Sequence, residues 1–252
     1  MNLNEFLEMK NEFAEYIYKY EYFLKCGAIN DCYYNFYFSQ YLDEIKYLDT
    51  ENRIMASCID MKRNNEPEEK INEFISKAKE SYAKEKVLIE NKNRMAKAIV
   101  ENNNKMSNED KKQFEIDYLD YVKKDHPIVK CFINDNEEQI FSMLSKLYKE
   151  NNYSGFKGVL EMNKDSFKVP EYKEDDFTKI SAYYYDIKKN INADYLKKQN
   201  TYPFNKVDVL KNEISVAREA GDLKAKLSKF REANKNIHRD YELSFEKDFS
   251  LN

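Results

Sequence analysis

The chain has no tryptophan, and its 252 residues include only four glycines, four prolines and two histidines. Sheet proteins turn often, and tight turns draw on Gly and Pro. Their scarcity excludes a hairpin-rich fold and points to long helices. The four cysteines are Cys26, Cys32, Cys58 and Cys131, and none belongs to a C-x-x-C pair. With two histidines they make no clustered set of soft ligands, so no metal and no cofactor is expected. They read as free thiols of a reducing compartment. Long apolar runs are missing too. None approaches the roughly 18 residues of a membrane span. The acidic, amphipathic start from Met1 to Glu8 lacks the basic and apolar character of a secretory signal. A cytoplasmic protein without a membrane span is expected. Charge of one sign is also lacking, with 42 basic against 46 acidic residues and a net charge of -4. That balance gives no reason to expect nucleic acid as a partner.

What the sequence does have is 42% hydrophobic and 35% charged residues, with a mean hydropathy of -0.88. The combination suits helices with one wet face, in one or two domains. Leu3, Phe6, Leu7, Phe13, Ile17, Tyr20 and Leu24 recur at helical spacing. Cys26-Gly27 then offers a helix stop. Tyr34, Phe38, Tyr41, Ile45, Leu48, Asn52, Met55 and Ile59 alternate by four and three, which is a heptad seam. Asn52 is its one polar member and reads as a register-fixing residue. Pro67 interrupts the seam, and Ile71, Ile75, Ala78, Tyr82 and Ile89 resume the spacing up to about Asn102. A short connection between two long helices favours an antiparallel hairpin over residues 29 to 102. Pairing between chains is the alternative.

Asn102-Asn103-Asn104-Lys105 reads as a polar break, and Ser107 with Asp110 as a capping box. The helix that follows presents Phe114, Tyr118, Tyr121 and Val122, and stops at Asp125-His126-Pro127 because the residue before Pro avoids the helical region. Ile128, Val129, Phe132 and Ile133 are expected to pack beneath the turn. Asp135 to Glu138 opens a helix with Ile140, Phe141, Leu144, Leu147 and Tyr148 inward. A shorter helix carries Phe156, Val159 and Leu160. Residues 169 to 172 read as an extended linker. Phe177, Ile180, Tyr184, Ile187 and Ile191 then mark a helix from about Asp176 to Gln199. A last helix runs from about Val207 to Tyr241, with a bend near Gly221, and the residues beyond Phe245 are expected to fray.

Residues 107 to 151 resemble the central helix pair of J-domain co-chaperones. Tyr118 and Tyr121 precede His126-Pro127 at the family's intervals, and Phe141, Leu144, Leu147 and Tyr148 follow its spacing in the second helix. Lys123 and Lys124 stand at the basic end of the first helix. With the hairpin before it and Tyr202-Pro203-Phe204 heading the last helix, the chain resembles clostridial-type coiled-coil proteins with a degenerate J-domain pair. That resemblance implies a protein partner, a heat-shock chaperone, met through Lys123, Lys124, His126 and Pro127. Three departures set the chain apart. Ile128 stands where the family has Asp, Asp125 replaces an apolar residue, and the family's first helix is not evident before residue 107. Loss of the signature Asp removes the charge that engages the chaperone.

The expectation is an all-α protein: an N-terminal helix and a long antiparallel helical hairpin (1–105), a small J-like helical unit (106–168) and a long C-terminal helical segment (169–252). It is not expected to be an enzyme. The reading is a helical interaction or scaffold protein with a decayed J-like module, and the alternative is an active co-chaperone. A third class, a Cys131/His126 enzyme, lacks an accompanying oxyanion segment. Gly155 and Gly158 lack Walker spacing. Glu137-Glu138 and Asp175-Asp176 read as helix-start carboxylates, His238 as a solvated residue, and His126 in its structural role as a helix-end residue.

Overall fold

The structure, a computed structural model, describes residues 1–131, 135–167 and 170–251. Phe132, Ile133 and Val169 lie outside the described residues. Among those described there is no strand, and the fold is all-α. The helices are α1 (Leu3–Arg63), α2 (Glu68–Lys105), α3 (Asn108–Asp125), α4 (Pro127–Lys130), α5 (Asp135–Lys149), α6 (Tyr153–Met162), α7 (Glu174–Lys198) and α8 (Glu213–Phe245). Short 3-10 turns occupy Lys164–Ser166 and Phe204–Lys206.

Two expected breaks are absent. α1 continues through Cys26-Gly27, because Gly27 has a packing duty against Phe204 rather than a left-handed one; no glycine has positive φ. α2 continues through Asn102 to Asn104. These amides find tertiary partners instead of competing with the helix. Asn102 Nδ2 donates to the Asn151 carbonyl at 3.3 Å, and Asn151 Nδ2 donates to Asn103 Oδ1 at 2.6 Å. The break falls at Met106-Ser107, where Ser107 Oγ accepts from the Asp110 amide at 3.0 Å, as the capping box requires.

The chain packs as two compact units, each discontinuous in sequence. One holds residues 1–32 and 98–207, the other residues 33–97 and 208 onward. They cut across the chain-order division 1–105, 106–168 and 169–252, since α1 and α2 contribute to both units.

In the first unit, Phe13, Ala14 and Ile17 of α1 join Phe114, Tyr118, Tyr121 and Val122 of α3, the α5 stripe, and Phe156, Val159 and Tyr184. Val129 is buried in this cluster and Ile128 packs against it. Phe13 stacks on Tyr184 at 3.8 Å. Each such fully buried side chain stabilises by roughly 1.5–3 kcal/mol before entropy.

In the second unit the heptad seam divides. Tyr34, Phe38, Ile45 and Leu48 pack with Leu223 and Leu227 of α8. Met55, Cys58 and Ile59 pack with Ile71 and Tyr82 of α2 and Tyr241 of α8. Asp43–Asn93, Lys46–Glu85 and Tyr47–Tyr82 pair α1 with α2, the partner numbers falling as those of α1 rise. Asn52 departs from the two-helix seam reading. It is half-buried and accepts from Asn234 Nδ2 of α8 at 2.8 Å.

α8 begins at Glu213 rather than near Val207, because Asn212 Oδ1 caps the Ser215 amide at 2.9 Å. It runs through Gly221 unbroken. The segment beyond Phe245 does not fray. It turns at Glu246 (φ 53) and buries Phe249 and Leu251.

Candidate functional site

The His-Pro turn sits inside the first unit. His126 takes an extended conformation (φ -65, ψ 126), closing α3 and opening α4. Its Nδ1 accepts from the Ile128 amide at 3.2 Å. That leaves Nε2 to carry the ring proton, and it faces Glu21 Oε1 at 3.4 Å. The Tyr118 hydroxyl donates to the other Glu21 oxygen, and Phe141 meets the imidazole edge-on at 4.7 Å. Burial pushes the Glu21 carboxyl up, but His126 and Tyr118 outweigh it and hold Glu21 below its ordinary value.

A second carboxylate lies beyond. Tyr118 stacks on Tyr148 at 3.5 Å, nearly parallel. Glu115 accepts from the Tyr148 hydroxyl, from Tyr18 at 3.0 Å and from Lys25 at 2.6 Å. Lys25 is buried over the rings of Phe114 (4.4 Å) and Tyr148 (4.2 Å). Burial lowers its pKa, while Glu115 opposes the shift. A cleft of about 250 Å³ opens here, lined in part by Tyr22, Lys25, Cys26, Lys111 and Glu115. Its buried Lys25 is engaged by the half-buried Glu115.

α4 is fixed from both ends of its one turn. Lys130 and Glu137, both buried, form an ion pair at 3.1 Å. Glu137 is therefore the partner of a buried cation, beyond the helix-start role expected of it. The hydroxyl of Tyr172 donates to the Lys130 carbonyl at 3.2 Å, and that of Tyr184 to the Val129 carbonyl.

The residues expected to face a partner separate. His126 is fully buried, with its imidazole capping the Ile128 amide and facing Glu21. Pro127 is half-buried, Lys123 pairs with Glu15 at 3.2 Å, and Lys124 is exposed. Cys131 is not joined to His126. Its thiol donates to the Ile128 carbonyl at 3.7 Å and burial pushes its pKa up to about 11, while both ring nitrogens of His126 are engaged elsewhere.

His238, expected to be solvated, is half-buried and held by two carboxylates. Its two nitrogens face Glu51 Oε2 at 3.4 Å and Asp248 Oδ1 at 3.1 Å. Glu51, itself buried, also accepts from Tyr47 at 2.7 Å and Asn234 at 2.9 Å. Sequence reasoning passed over these carboxylates, although a signal existed. Glu21 follows Phe13 and Ile17 at four-residue steps, and Glu51, beside the seam position Asn52, lies three residues after Leu48 and four before Met55. A charge inside an apolar stripe marks a buried partner.

Among the described residues, no group of three or more His, Cys, Asp or Glu could hold a metal ion. No helix there is long and apolar enough to cross a membrane. No protein-family model matches the chain, and neither a curated protein nor a solved structure matches it.

Proposed function

We propose that this is a non-enzymatic, cytoplasmic interaction or scaffold protein whose residues 106–168 form a decayed J-like unit. The observation that carries the reading is the inward His126. A turn that recruits a chaperone must present its side chains, and here the imidazole is committed to Glu21 and to the Ile128 amide. Ile128 stands in place of the carboxylate and packs against the core. The turn thus serves as a staple between α1, α3 and α4. Apolar side chains on view elsewhere, Val87, Leu88 and Met95 on α2 and Leu196 on α7, supply contact area for a protein partner.

The test is single-turnover ATP hydrolysis by the host's heat-shock chaperone, with and without the full chain. No acceleration is expected. Robust stimulation by the wild type that disappears in a Lys123→Ala/Lys124→Ala variant would establish an active co-chaperone instead. These lysines are chosen because His126 variants disturb the core and report on folding.

A further inference from the structure

The second unit contains an internal ligand. After α8 the chain turns at Glu246, crosses back, and inserts Phe249 and Leu251 into the cluster of Met55, Cys58, Ile71 and Tyr241. Phe249 meets the Tyr241 ring edge-on at 5.3 Å. The polar half of the seat centres on one imidazole. His238 Nδ1 lies 3.1 Å from Asp248 Oδ1, and Nε2 lies 3.4 Å from Glu51 Oε2. Asp248 Oδ1 also accepts from the Phe249 amide at 2.8 Å, and Glu51 Oε1 from the Leu251 amide at 3.4 Å.

Both nitrogens of His238 therefore face carboxylate oxygens, which only accept. A neutral imidazole carries one N–H and would set a lone pair against one of the two carboxylates. His126 is the contrast, since one of its nitrogens accepts a backbone N–H. We infer that segment 246–251 is a proton-gated latch: it is closed by the doubly protonated imidazole of His238 bridging Glu51 of α1 to Asp248 of the segment, and it loosens when that proton leaves. Other charged or titratable groups around the bridge and its segment are Tyr47 and Cys58 on α1, Glu68, Lys79 and Tyr82 on α2, Tyr241 on α8, and Lys247 on the segment. Lys247 reaches Glu68 at 3.9 Å, and Lys79 lies 5.6 Å from the Phe249 ring. None of these replaces the bridge, because none contacts Asp248 and Glu51 together. Release uncovers the apolar seat around Tyr241, so proton loss changes the surface on offer to a protein partner. The inference stands independently of the J-like reading, which concerns the other unit.

The experiment follows amide exchange at Phe249 and Leu251 in the full chain from about pH 5 to about pH 8, corrected for intrinsic exchange, together with the ring signal of His238. Asp248 is three-quarters exposed, so the expected effect is the modest one of a solvent-facing bridge: protection falls roughly fivefold between the acidic and the basic end of the series. In His238→Gln the protection should no longer vary with pH. In Asp248→Asn, whose exposed side chain leaves the fold intact, the pH response should shrink. Protection that is independent of pH in the wild type, or a pH response undiminished in both variants, would overturn the inference.

Discussion

Gly27 lies against the ring of Phe204 so closely that a Cβ on residue 27 would sit 2.2 Å from Cε1. The ring cannot retreat freely, because Phe23 stacks on its plane at 4.2 Å. Gly27 is helical, so alanine there would ordinarily gain about 1 kcal/mol. Forcing a methyl group into a packed contact costs about 1–3 kcal/mol. Gly27→Ala is therefore expected to destabilise the protein by about 1 kcal/mol, read as a lower denaturant midpoint at unchanged slope. A rise in stability would show that the Phe204 ring yields.

Lys130 and Glu137 form a buried pair, with side chains 0% and 2% exposed. Lys130→Met removes the cation that lies 3.1 Å from this buried carboxylate. Lys130→Met is expected to cost about 3–5 kcal/mol, while Lys130→Met/Glu137→Leu recovers most of the loss. Equilibrium unfolding of both variants checks this. Equal destabilisation in the single and double variants would mean that the pair is not the source.

Glu21 has a folded pKa below its ordinary value of 4.5. A depressed carboxylate contributes stability that is present above the ordinary value and lost as pH falls toward the folded one. The protein should thus lose stability on acidification below about pH 4.5, and Glu21→Gln should make that acid limb shallower. The same variant is expected to lose about 1–3 kcal/mol at neutral pH, because its amide cannot accept from both Tyr118 and His126. An acid limb of unchanged steepness would remove Glu21 as its cause.

Cys131 is exposed as a residue, but its thiol is partly desolvated beside Tyr184 and is raised from 9.0 to about 11. The thiolate is the reactive form, so alkylation of Cys131 near pH 8 should run at least about tenfold slower than that of a simple thiol. Mass spectrometry of the Cys131 peptide after timed iodoacetamide treatment measures it. Labelling at the simple-thiol rate would indicate an activated cysteine and revive a nucleophilic role.

Helix content and most inward faces were legible in the sequence. Ser107 and Asp110 announced the start of α3, Pro127 its end, and the apolar spacing located Phe114, Tyr118, Leu144 and Tyr148. These features depend on neighbours within a turn or two. Caps and periodicity act locally, so sequence alone carries them. The stops assigned to Gly27 and to Asn102–Asn104 failed because each residue answers to a distant partner, Phe204 in one case and Asn151 in the other.

The sequence by itself thus determined an all-α chain, the start and end of α3, and a His-Pro turn whose proline must stop a helix. Only the tertiary structure decided that His126 points inward onto Glu21, that Asn52 pairs with Asn234, and that Phe249 and Leu251 return to the core. Helical period fixes which side of a helix is apolar, but the partner of a polar group on that side depends on long-range packing. Glu21 and His126 are 105 residues apart, and Glu51 and Leu251 are 200 apart. Desolvation makes such contacts obligatory once the fold brings them together, since a buried charge without a partner is costly, yet no local pattern in the chain names which residue will supply it.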